Sequence, residues 1–243
     1  MTTTARIGIS LLSGDNGIAP GELAQMVEAL GFESLWLPEH SHIPTSRETA
    51  WPGSLSGEPL PDVYARLLDT TVSLAMAAAV TTRLRLGTSV LLLGARDPLW
   101  TAKEYATLDS LSNGRVEMGV GFGWNREELA NHGIDFTTRW DRTREAAAAI
   151  RAIWRDDVAE FHGEHVEFTP SWAWPKPTTA LGPRMHIGGG TGPRLLGHVA
   201  QWGDGWLPIS SRSSLASQLA LLDEACNRHG RDRSQIDVSV FGA

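Results

Sequence analysis

Short apolar segments of strand length alternate with longer amphipathic segments from Ile7 to Phe241, and this alternation constrains the fold more than any other feature of the chain. Successive strands separated by helices lie parallel, because parallel neighbours need a crossover connection, and the helices must cover the sheet. Ile7–Leu12 reads as a strand. Pro20 then opens a helix with Leu23, Met26, Val27 and Leu30 on one face, and Gly31 ends it. Ser34–Leu37 is a second strand that stops at Pro38-Glu39-His40 and completes a βαβ unit.

The pattern then repeats. Strands are predicted at Leu84–Leu93, Val116–Val120, Met185–Ile187, Gly205–Leu207 and Ile236–Phe241. Helices are predicted at Tyr64–Val80, Pro98–Leu111, Arg139–Trp154 and Pro193–Trp202, with a last one carrying Leu215, Leu219, Leu222 and Cys226 in line. Seven such strands in a row favour a TIM-type (β/α)8 barrel over a doubly wound sheet. The first strand is not followed by the Gly-x-Gly-x-x-Gly of a dinucleotide fold. At 243 residues the chain matches one barrel domain, typically about 250. We therefore expect a single domain over 1–243, with a lid-like loop at 41–62 and a hairpin insertion at 158–169 around His162-Gly163-Glu164. The eighth βα unit is not in the sequence, and an uncovered strand edge predicts a homodimer.

Composition narrows the function. A net charge of −7 without a Lys/Arg run argues against nucleic acid. One cysteine, Cys226, precludes an internal disulfide and suits a cytoplasmic setting. No apolar run approaches the roughly 20 residues of a membrane span. The ten tryptophans, several in loops, suit a pocket for a flat aromatic ligand and a small-molecule substrate.

Barrel active sites lie at the C-terminal strand ends. There the second strand delivers Glu39-His40-Ser41-His42, and imidazole can take or give a proton near neutral pH. No third histidine or carboxylate cluster has metal-ligand spacing, so no metal is expected. The fourth strand leads into Gly121-Phe122-Gly123-Trp124, where glycine permits close backbone approach and an indole is presented. Gly188-Gly189-Gly190-Thr191-Gly192-Pro193 runs into a helix, an arrangement that binds phosphate through backbone N–H groups and the helix dipole; Arg194 adds positive charge.

Five landmarks, Leu35–His40, Leu86–Val90, Gly114–Gly121, Ile187–Gly190 and Gly203–Trp206, occur in the order and spacing of the luciferase-like monooxygenases, and the chain most resembles their coenzyme F420-dependent branch. That resemblance implies a barrel whose mouth holds a deazaflavin. His40 would be the active-site histidine, with Trp124 walling the pocket. Ser89-Val90 would form a bulge with a non-prolyl cis peptide against the ring. Gly188, Gly189, Gly190 and Thr191 would hold the phosphate, with Ser210 on a second loop; Glu39 and Gly123 complete the expected cofactor contacts. The implied activity is hydride transfer between F420 and an organic substrate. An FMN-dependent monooxygenase using reduced flavin and O2, and a non-catalytic flavin-binding or structural barrel, are the alternatives. A cofactor-free lyase or aldolase lacks a strand-end lysine, since Lys103 and Lys176 fall on a helix and a loop. Trp124 stands where a sugar-phosphate dehydrogenase of this branch has an acid, so that substrate is not implied.

Overall fold

A parallel strand needs apolar cover on its outer face, and seven strands of this chain obtain it from one layer of helices. The computed structural model describes residues 6–54, 57–179, 181–209 and 214–242. In chain order the elements are β1 (Gly8–Ser10), α1 (Pro20–Ala29), β2 (Ser34–Leu37), α2 (Thr70–Val80), β3 (Arg85–Thr88), α3 (Pro98–Leu111), β4 (Val116–Val120) and α4 (Arg126–Asn131). They continue with α5 (Arg139–Arg155), β5 (Ala159–His162), β6 (Glu167–Ser171), β7 (Arg184–Gly188), α6 (Pro193–Trp202), β8 (Gly205–Leu207), α7 (Leu215–His229) and β9 (Asp237–Val238). The sheet order is β1-β2-β3-β4-β7-β8-β9, all parallel, and β5-β6 is a separate antiparallel hairpin. The sheet curls into a half-barrel of TIM type, and among the described residues β9 does not pair with β1.

Strand residues alternate strictly between the two faces. Leu35, Leu37, Leu86, Val116, Met118, Val120 and Met185 point outward into one core with Leu23, Val27, Leu74, Tyr105, Ile150 and Trp154. A second core joins Ile187 and Trp206 to Leu196, Val199, Leu222 and Cys226 of α6 and α7. Inward positions follow the register Trp36↔Gly87↔Glu117 and His186↔Gly205. Space is short on this concave face. A Cβ on Gly87 would collide with the Trp36 ring, one on Gly205 with His186, and one on Gly119 with the Thr88 carbonyl. The inner face also holds a buried polar cluster in which the His186 Nε2 lies 2.8 Å from Glu117, itself paired with Arg85.

Several boundaries differ from the sequence-based expectation. The helix expected from Tyr64 is a 3-10 turn at Asp62–Arg66 followed by a break, and α2 starts at Thr70, where the Asp69 side chain accepts from the Val72 N–H. The apolar run to Leu93 leaves the sheet after Thr88 and rejoins it at a single bridge, Leu91↔Val120. The last strand is Asp237–Val238 rather than Ile236–Phe241, and the hairpin extends to Ser171. Met26 and Leu30 are exposed: Met26 is on the flank of α1, and Leu30 is its C-cap, beyond the last turn. Leu215 is likewise exposed, and Gln218 is buried on α7 in its stead.

Two predictions follow from the inner face. Gly119→Ala, facing a backbone carbonyl that cannot rotate away, is expected to cost about 2–3 kcal/mol in urea unfolding. Burial first, then the nearby Arg184, holds the His186 imidazole down at about 4, below its ordinary 6.5. As pH falls the unfolded chain therefore takes this proton first. The stability contributed by neutral His186 is complete above pH 6.5 and is lost as pH falls to about 4. Urea midpoints at pH 7 and 4.5 should show a smaller loss for His186→Gln than for the parent chain.

Candidate active site

The C-terminal ends of β2, β3, β4 and β7 converge on one mouth. Ser89-Val90 follows β3 directly, and its peptide bond is cis, as the family resemblance implies. Val90 enters the mouth between β4 and β7, where Cβ atoms on Gly121 and Gly188 would both meet its methyl groups. The Ser89 hydroxyl lies 3.2 Å from that of Ser10 at the end of β1.

His40 follows β2 and is nearly buried, its side chain 6% exposed. Its Nδ1 lies 2.6 Å from the Glu128 carboxylate, and the Trp124 indole N–H donates to its Nε2 at 3.3 Å. An indole only donates, so Nε2 is the acceptor and the imidazole proton sits on Nδ1, facing Glu128. Glu128 also accepts from the Ser41 backbone N–H at 3.0 Å and is 1% exposed. The carboxylate thus fixes both ring orientation and tautomer. A proton accepted at Nε2 would give an imidazolium ion-paired to Glu128.

Glu128 is absent from the sequence-based set of site residues, as is the six-residue helix α4 that carries it. Asn125, which caps α4 by accepting from the Glu128 N–H, is the signal that could have found the helix. The neighbouring Glu127 faces the loop at 41–62, accepting from the backbone N–H groups of Glu48 and Thr49 and from the Thr49 hydroxyl at 2.6 Å. These bonds, led by the Thr49 hydroxyl, pull its carboxyl down to about 2. Trp51 from the same loop packs edge-on to Tyr64, whose ring is tilted against His40. Arg47 lies over the Trp124 ring. The loop therefore roofs His40 on its aromatic side.

The remaining expected residues divide. Glu39 does not present a free carboxylate: one oxygen accepts from the Leu92 N–H at 2.7 Å and the other pairs with Arg96 at 2.5 Å, which braces the segment after the bulge. Gly123 adopts φ 77 and packs on Leu129, so its glycine serves the turn, whereas Gly121 is the glycine that faces Val90. His42 belongs to an outer chain, its ring 2.9 Å from the Ser41 hydroxyl, which also lies 2.7 Å from His132. Gly189, Gly190 and Thr191 form the loop into α6, and Gly188 is the last residue of β7. Cβ atoms on Gly190 and Gly192 would meet nothing within 4 Å among the described residues, whose packing leaves their backbone open to a ligand. Ser210 lies outside the described residues. Among the described residues no group of three histidines, cysteines or carboxylates could hold a metal ion, and no helix is long and apolar enough to cross a membrane.

Fold and site together define an α/β half-barrel with an oriented histidine–carboxylate pair at its mouth. The chain belongs to the luciferase-like monooxygenase family, whose model matches residues 8–243. It is 41% identical over 225 residues to an uncharacterized protein of Mycobacterium tuberculosis, covering 93% of this chain and 79% of the relative. It is 29% identical over 232 residues to the F420-dependent glucose-6-phosphate dehydrogenase of Kineococcus radiotolerans, covering 91% of this chain and 63% of that enzyme.

Solved structures share the fold. Monooxygenase RslO1 from Streptomyces bottropensis superposes with TM-score 0.78 at 24% identity, over 97% of this chain and 70% of that one. Coenzyme F420 dependent tetrahydromethanopterin reductase from Methanopyrus kandleri gives 0.76 at 22%, over 97% and 65%. The oxygenating constituent of 3,6-diketocamphane monooxygenase from Pseudomonas putida, in complex with FMN, gives 0.73 at 17%, over 96% and 66%.

Removing the tie at α4 should free the loop. Glu127→Ala is expected to raise the rate of limited proteolysis within 41–62 about tenfold while leaving global unfolding unchanged. In the parent chain the depressed carboxyl keeps the tie at pH 4 and loses it only as pH falls towards 2.

Proposed function

We propose that this protein is an oxidoreductase that transfers a hydride between coenzyme F420 and an organic substrate. The observation that carries the reading is the buried Glu128–His40 pair, which holds a proton-accepting Nε2 at the barrel mouth under an aromatic roof. The deazaflavin is favoured over FMN by the F420-dependent dehydrogenase among the sequence relatives.

The residues present fit such a group. The loop Gly189–Gly192 at the start of α6, with its backbone open at Gly190 and Gly192, would hold its phosphate, with Gly188 at its entrance. Val90 would support one face of its ring. The deazaflavin, when bound, supplies the carbon that gives or takes the hydride. Once the Trp124 indole N–H yields Nε2 to the substrate, neutral His40 takes the proton of an alcohol there, and the resulting imidazolium gives it back to a carbonyl in the reverse direction. Glu128 stabilises the charged imidazole and returns it to the same tautomer. Trp51, Tyr64 and Trp124 exclude water and wall an apolar substrate. Trp124 leaves no acidic side chain at its position, which argues for a substrate other than a sugar phosphate.

Titration with oxidised F420 and, separately, FMN, followed by tryptophan fluorescence, tests the cofactor. Tight F420 and weak FMN binding supports the proposal; the reverse, or air-dependent product formation with reduced FMN alone, overturns it. On an identified substrate, His40→Ala is expected to lower kcat about 10²–10⁴-fold with cofactor affinity unchanged. Glu128→Gln should lower kcat less, because the amide oxygen still accepts from Nδ1 and orients the ring without offsetting the imidazolium charge.

A further inference from the structure

Two arginines stand around His40 and Trp124, and their charges are treated differently. Arg96 pairs with Glu39 and Glu104 and also reaches the hydroxyls of Thr71 and Thr101. Arg47, on the loop that roofs the mouth, is half-buried and has no carboxylate within 4 Å among the described residues. A cation withdrawn from part of its water is normally paired, so an unanswered one beside a reactive imidazole points to an anion that arrives from outside.

The guanidinium is fixed from two sides. Its Nη1 donates to the Thr49 carbonyl, and Thr49 is held through its N–H and hydroxyl by Glu127. Its carbon lies 5.7 Å from the centroid of the Trp124 ring, within the range of cation–π attraction. That indole is the one that donates to Nε2 of His40. Among the described residues Nε and Nη2 of Arg47 have no partner, and this edge is a fork that matches the two oxygens of a carboxylate. The carboxylates of α4 do not answer it: Glu127 accepts from the loop, and Glu128 from His40 and Ser41. Glu48, next in the chain, is exposed and forms no ion pair among the described residues.

We propose that Arg47 anchors a carboxylate on the substrate, so that the protein acts on an oxo acid or hydroxy acid with an apolar body. The proposal rests on the hydride-transfer reading above. With the acid group on Arg47, the reacting carbon reaches Nε2 of His40 across the width of one indole, and Trp51, Tyr64 and Trp124 wall the apolar part between them.

The test titrates the protein with phenylacetate and with its neutral counterpart phenylacetamide, with and without oxidised F420, following tryptophan fluorescence at low salt. The parent chain should bind the carboxylate about tenfold tighter than the amide. Arg47→Gln should remove that preference and leave the affinity for the amide unchanged. Arg47→Lys should keep only part of it, because an ammonium lacks the fork, and the exposed control Arg228→Gln should change nothing. Equal affinity of the parent chain for both probes, binding of neither, or a preference that survives in Arg47→Gln overturns the anchor. Benzyl phosphate bound more tightly than phenylacetate, with that binding lost in Arg47→Gln, overturns the carboxylate in favour of a phosphate ester. Failure of F420 to bind beside an intact, Arg47-dependent preference defeats the deazaflavin reading and leaves the anchor standing.

Discussion

Side chains on the concave face of a curled sheet converge, so each large group there must be matched by a very small one. Trp36 has its room because Gly87 stands across the register, and His186 because Gly205 does. At the C-terminal end Val90 occupies the space that Gly121 and Gly188 leave. Gly87, Gly205, Gly121 and Gly188 are thus steric complements of these side chains. The shape of the mouth follows from them, and the positions of β4 and β7 relative to the bulge after β3 follow in turn.

On this frame the chemistry depends on one buried carboxylate. A histidine at a strand end can rotate and can carry its proton on either nitrogen. Glu128 removes both freedoms, and the indole of Trp124 donates to the nitrogen that carries no proton. Low exposure strengthens the pairing, because competing water is excluded. The site is therefore rigid on the Glu128 side, and its aromatic side is closed by a loop held through a handful of hydrogen bonds.

The alternation of strands and helices was legible because each strand outside the hairpin carries an apolar outer face and each major helix except α5 is bounded by proline, glycine or a capping side chain. His40, Trp124, the bulge at Ser89-Val90 and the glycine loop before α6 were legible as motifs. Contacts between distant segments were not. Glu128 lies 88 positions from His40, on a helix too short to show a period. Glu39 reads as a free carboxylate until Arg96 is brought to it. The break before α2 was hidden because Leu67 and Leu68 continue the apolar pattern while the backbone turns to let Asp69 cap.

The two adjacent glutamates of α4 have a mechanical consequence. Glu127 grips the loop and Glu128 grips the imidazole, and one turn of helix carries both tasks. A displacement of that turn is transmitted to both, so the roof cannot lift on this side without loosening the imidazole beneath it. Under the proposed function, opening of the mouth and alignment of the imidazole are in this way geared together: an open mouth idles, and a shut one holds the ring in place.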